Sequence, residues 1–125
     1  MLNGGHKIAA LVGLSSLMGI GPAIAHHSFA MFDMTKSIQL EGTVQRFEWT
    51  NPHSWIFLEV VGPEATAEQW TIELPAAGVL VREGWTRTYL RPGERVVLRV
   101  NPLKDGRKGG NLERFVPPSQ APASP

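Results

Sequence analysis

The chain has 125 residues, 42% of them hydrophobic and 18% charged, with a net charge of +1 and no cysteine. That length allows one small domain. The lack of cysteine excludes disulfide staples and thiol chemistry, and near-neutrality supplies little long-range attraction for nucleic acid.

The first element is a leader. Lys7 and the amino terminus form a positive region, Ile8 to Ile20 is uncharged and largely apolar, and Gly21-Pro22 interrupts it before Ala23-Ile24-Ala25. This is the pattern of a cleavable secretory signal over residues 1–25. A membrane-spanning helix needs about 20 apolar residues, and this segment is shorter and diluted by Gly13, Ser15, Ser16 and Gly19. No cysteine follows it to accept a lipid. The expectation is a periplasmic or secreted product with no membrane span once the leader is cut.

Residues 26–37 read as an extended segment. Ile38, Leu40, Gly42 and Val44 then alternate with polar residues, the period of a half-buried strand, and Gly42 marks a bulge or sharp bend in it. A second strand runs from Trp55 to Val61 and ends at Gly62-Pro63, and a third covers Trp70 to Leu74. Pro75 suits the first turn of a short helix in which Val79, Leu80 and Val81 cover an open end of the sheet before Gly84. Arg91-Pro92-Gly93-Glu94 fits a type II turn and launches a strand from Val96 to Val100. Asp105-Gly106 and Gly109-Gly110 read as a flexible connection to a last strand near Leu112 to Val116. Residues 117–125 are Pro, Ala and Ser without an apolar pattern, which predicts disorder. Three strands, one short helix and two strands is the order of an all-β, five-stranded OB-like barrel, here over residues 38–116. A small open β-sandwich is the alternative.

The mature chain as a whole resembles a known family. His26-His27-Ser28-Phe29-Ala30-Met31-Phe32-Asp33, Leu40-Glu41-Gly42-Thr43-Val44 and Phe47-Glu48-Trp49-Thr50-Asn51-Pro52-His53 carry the likeness, with Trp70 to Leu74, Gly84-Trp85 and Pro92-Gly93. The chain is similar to a family of small exported bacterial proteins known only as a domain of unknown function. The resemblance implies export and a small β-domain, and it assigns no activity.

Charge is uneven. Residues 26–74 carry two basic and seven acidic side chains, residues 75–125 nine basic and four acidic. Arg87, Arg91, Arg95, Arg99, Lys104, Arg107, Lys108 and Arg114 would form a basic face, but balance against the acidic half accounts for it without a nucleic-acid partner.

Cutting after Ala25 makes His26 the first residue, so a terminal amine and an imidazole lie together, with His27 next and His53 in the Asn-Pro-His turn. Nitrogen-rich sites of this kind favour copper(II) among the common divalent ions. His26, His27 and His53 are thus the candidate metal ligands, copper(II) the candidate cofactor, and Asp33 and Glu48 carboxylates to orient an imidazole. Against this, adjacent histidines at a terminus can be merely solvated and His53 can bond its own loop, as Asn51 does in initiating a turn. The competing function is a metal-free module that recognises a periplasmic protein or glycan through an edge formed by Trp49, Asn51 and Trp55. Four tryptophans also serve a disulfide-free core by burying large area. No G-x-S-x-G elbow or H-E-x-x-H pattern is present, so the chain reads as a non-enzyme, and a copper-dependent oxidase has the least support.

Overall fold

A computed structural model describes residues 29–116. The leader, His26, His27 and the tail 117–125 lie outside the described residues. Five strands run in chain order: β1 (Ile38–Glu48), β2 (Ser54–Val61), β3 (Ala67–Leu74), β4 (Arg95–Pro102) and β5 (Gly109–Phe115), with a helix α1 (Ala77–Arg82) between β3 and β4. Neighbours follow β1-β2-β3-β5-β4 and β4 returns to β1, so the sheet is a closed barrel, as the OB-type strand order requires, and not an open sandwich. All pairings are antiparallel except the short β3–β5 contact, Thr71↔Gly109 to Glu73↔Asn111, which is parallel and closes the wall.

Alternation decides which side chains point inward. Leu40 and Val44 of β1, Ile56 and Leu58 of β2, Trp70, Ile72 and Leu74 of β3, and Leu98 and Val100 of β4 form the core. Leu80 of α1 joins it at 1% exposure and stops one barrel end, while Val81 is exposed. Pro75 sits one residue before the N-cap Ala76 rather than inside the helix, and its carbonyl accepts the Ser54 N–H. Gly84 ends the helix at φ +87°, and Gly93 takes φ +90° in the turn closed by Glu94 N–H to the Arg91 carbonyl.

Three details differ from the sequence reading. The register of β1 runs unbroken through Gly42, and the bulge falls between Val44 and Arg46. Gly42 is required for a different reason: a Cβ there would lie 2.5 Å from the Glu59 carbonyl oxygen and 2.8 Å from Leu58 Cγ. Gly109 and Gly110 belong to β5 and are buried, not part of a loop. A Cβ on Gly110 would lie 2.7 Å from the Asn101 carbonyl oxygen, so the strand closes the barrel only where it has no side chain. Finally, β3 begins at Ala67, three residues earlier than its apolar pattern, because the Gly62–Thr66 turn is closed by Gly62 N–H to the Thr66 carbonyl.

The segment before β1 is not simply extended. Phe29–Met31 makes one turn of 3-10 helix, and Phe32, 4% exposed, forms a bridge to Leu103 after β4. Asp33 N–H donates to the Pro102 carbonyl and Lys104 N–H to the Met31 carbonyl, so this strap is pinned on both sides of Phe32. Two cations of the basic half reach carboxylates of the acidic half, Arg95 to Glu41 at 2.5 Å and Lys108 to Glu68 at 3.2 Å. The Trp70 indole N–H and then Lys108 hold the Glu68 carboxyl below its ordinary value. Among the described residues no helix is long and apolar enough to cross a membrane.

Candidate functional site

The β1–β2 loop is built from its own side chains. Thr50 Oγ1 donates to the His53 carbonyl at 2.6 Å. Ser54 Oγ accepts the Thr50 N–H and donates to the Thr50 carbonyl, both at 3.2 Å, and the same carbonyl accepts the Ala77 N–H of α1. The loop is thereby tied to the helix, and the Asn51-Pro52 peptide within it is cis. Ser54 is fully buried, which makes it a brace and not a nucleophile. Ser54→Ala removes one donor and one acceptor at a buried position, so a loss of about 1–2 kcal/mol is expected. Thermal unfolding measures it, and an unchanged midpoint would mean that the loop holds without the hydroxyl.

Inward residues of β2 are Ser54, Ile56 and Leu58, so His53 and Trp55 face outward. In the β2–β3 register Trp55 stands opposite Glu73, which therefore also belongs to the outer face. Yet Glu73 is only 5% exposed. The strap and the β4–β5 loop cover it, forming a cleft of about 320 Å³ on the outside of the barrel. Trp55, Thr71 and Glu73 form its strand side, Met31, Phe32 and Leu103 its covering side, and Arg107 and Lys108 add cations. Arg107 is paired with Asp105 at 2.7 Å, and the Arg107 backbone N–H and then its guanidinium hold the Asp105 carboxyl below its ordinary value.

His53 and Glu73 meet directly, Nδ1 to Oε1 at 2.9 Å, and the His53 ring packs edge-on to Trp55 at 6.4 Å. A carboxylate accepting from Nδ1–H fixes the imidazole tautomer, which puts the ring's lone pair on Nε2 and sets the direction in which it can meet a ligand. Glu73 is the member of this site that sequence reasoning missed. Its signal was the hairpin register: counting back from the Gly62–Thr66 turn places Glu73 across from Trp55, two residues from His53.

The two carboxylates expected to orient an imidazole are engaged elsewhere. Asp33 accepts from the Thr35 hydroxyl and Lys36, in that order of effect, which lowers its carboxyl below the ordinary value. Glu48 pairs with Arg46 at 3.0 Å. The tryptophan edge also divides. Trp49 packs against Phe47 at 5.9 Å, in a group that continues through Trp85 to Tyr89 and Phe115, whereas Trp55 lines the cleft. Asn51 is exposed at the loop tip. Among the described residues no group of three or more histidine and acidic side chains is arranged to hold a metal ion. His53 and Glu73 are one pair, and His53 is the only histidine among the described residues.

A closed five-stranded barrel with one short helix after β3, and a covered cleft on its β2–β3 face, defines the class of domain. The chain belongs to the family of unknown function DUF6152, whose model matches residues 15–113. No curated protein matches it.

Proposed function

We propose that the protein is an exported binding protein that takes a copper-type transition metal through His26, His27 and His53, with Glu73 holding the His53 ring. The observation that supports this reading is the shared cleft: Met31 of the strap and Glu73, the partner of His53, line the same space. His27 is two residues from Phe29, a stretch that spans at most about 7 Å. The proposal requires that this short tether bring His26 and His27 toward the cleft. If the leader is removed after Ala25, His26 brings the terminal amine as well, and the nitrogen-rich set follows the preference that favours copper(II).

Calorimetric titration of copper(II) into the mature protein tests the proposal. The wild type binds near neutral pH, binding weakens as pH falls through the imidazole range because protons compete for the same nitrogens, and His53→Ala lowers affinity at least tenfold while the barrel still unfolds cooperatively. Equal affinities would make His53 a loop residue and leave any copper to the terminus alone. The second reading, a metal-free module for a protein or glycan, draws on Trp55 in the cleft wall of a β2–β3 face that OB folds use for such ligands. It requires partner capture that survives His53→Ala and is lost in Trp55→Ala.

A further inference from the structure

The walls of the outer cleft are fastened by backbone bonds before anything enters it. The Met31 carbonyl accepts the Lys104 N–H at 3.0 Å, the Gly109 carbonyl accepts the Leu103 N–H at 3.0 Å, and the Lys108 carbonyl accepts the Thr71 N–H at 3.2 Å. Leu103 can close over this region only because Gly109 is bare: a Cβ there would lie 2.8 Å from Leu103 Cδ1. Phe32, itself buried, is bridged to Leu103 from the strap and extends the apolar cover. The enclosed space of about 320 Å³ stands at the small end of ligand pockets, which run from about 300 to 1,000 Å³. It suits one small molecule better than a length of polymer.

The polar groups of the cleft are sorted by depth. Glu73 is 5% exposed, whereas the side chains of Arg107 and Lys108 are 71% and 52% exposed. His53 takes Oε1 of Glu73, which leaves Oε2 as the acceptor for an occupant. Arg107 and Lys108 have Asp105 and Glu68 as partners, but ion pairs this exposed contribute little, so either cation can turn to a ligand. Trp55 on one wall and Leu103 and Phe32 on the other supply apolar surface between the deep carboxyl and the basic rim. A simple amine would meet two like charges at the entrance, and a simple carboxylic acid would meet one at the floor. Only a molecule carrying both charges satisfies both levels.

We propose that the cleft binds a small zwitterion, an α-amino acid with an apolar side chain. Its ammonium donates to Glu73, its carboxylate meets Arg107 and Lys108, and its side chain lies between Trp55 and the cover formed by Leu103 and Phe32. The inference goes beyond the metal-binding reading and does not depend on it, since it uses no metal and no residue outside those described.

The test is titration of three probes of the same ring and chain length into chelator-treated protein: L-phenylalanine, phenethylamine, which lacks the carboxylate, and hydrocinnamate, which lacks the ammonium. Calorimetry gives the affinities, and the Trp55 indole and Gly109 and Gly110 amide resonances locate the binding. L-phenylalanine should bind at least tenfold tighter than either probe, the worth of a hydrogen bond to a charged group, and should move those three resonances. Glu73→Gln should erase its advantage over hydrocinnamate. The double variant Arg107→Gln, Lys108→Gln, changed only at exposed side chains, should erase its advantage over phenethylamine while the barrel melts as the wild type does. Should Glu73→Gln fail to fold, the wild-type series and the double variant decide the matter. Equal affinities for the three probes would reduce the cleft to an apolar slot, and tighter binding of hydrocinnamate would make it an anion site. Either result overturns the proposal, as does the absence of L-phenylalanine binding at millimolar concentration or a set of shifts that lies elsewhere on the barrel.

Discussion

Gly42→Val should lower the stability of the barrel by about 3 kcal/mol, at the upper end of what overpacking usually costs. The first atom of any side chain at this position meets the Glu59 carbonyl oxygen at 2.5 Å and Leu58 Cγ at 2.8 Å. One of these is backbone in the paired strand β2, and the other belongs to a fully buried side chain. Neither moves cheaply. Gly42 is also paired on its other side, to Val96 of β4, so β1 cannot shift outward without losing that ladder as well. For a domain of this size a loss of that order corresponds to a fall in melting temperature of roughly 12–24 °C. Thermal unfolding of the variant measures it, and a midpoint within a few degrees of wild type would show that the two strands separate more easily at Gly42 than their pairing indicates.

Glu73→Gln should weaken copper(II) binding by on the order of 10- to 100-fold, the usual effect of losing a carboxylate that orients a ligating histidine. Glutamine keeps the size of the side chain and an oxygen able to accept from His53 Nδ1–H, which limits structural damage at a position only 5% exposed. What it removes is the charge that fixes the imidazole tautomer with its lone pair on Nε2. The effect should therefore depend on the histidine. In a His53→Ala background the same substitution should change affinity little further, since two residues acting through one contact are not additive. Calorimetric titration of the two single variants and the double variant reads this directly. Additive losses would mean that Glu73 acts on the metal by a route that does not pass through His53.

The parts of the fold legible in the sequence were those written in local periodicity. Leu40 and Val44, and Trp70, Ile72 and Leu74, alternate with polar residues because each strand has one face in the core. Gly84 and Gly93 stop a helix and shape a turn through a positive φ that a local motif reveals. Barrel closure was not written locally. Gly109-Gly110 has poor strand propensity, and it becomes strand only because the backbones of β3 and β4 crowd it. The bulge between Val44 and Arg46 is likewise fixed by two partners, β2 on one side and the Arg91–Glu94 turn on the other, where Gly93 and Glu94 exchange bonds with Val44.

The same division applies to the candidate site. His53 stood out because an Asn-Pro-His turn is a short sequence feature, and Trp55 because it opens an aromatic strand. Glu73 was invisible as a functional residue, since an acidic side chain at an outward strand position normally lies in water. It is buried because the strap and the β4–β5 loop lie over the outer face. Asp33 and Glu48 had the right chemistry and sequence neighbours, but each had a nearer partner, Thr35 and Lys36 for one and Arg46 for the other. Proximity along the chain was a poor guide to which carboxylate the imidazole would meet.

The bridge between Phe32 and Leu103 also sets an order of assembly. A chain emerging from its N-terminus presents Phe32 first and Leu103 after four strands, so the strap has no docking partner until nearly all of the barrel exists. Contacts of such wide sequence separation form late when their loop-closure entropy must be met by structure already in place. The cleft, and with it the burial of Glu73, is thus the last part of the domain to be completed. The Asp33 and Lys104 amides, which donate to the Pro102 and Met31 carbonyls and so tie the strap to the end of β4, become protected from hydrogen exchange only at that stage. They report when a folding molecule has passed from a formed barrel to one with its outer face closed.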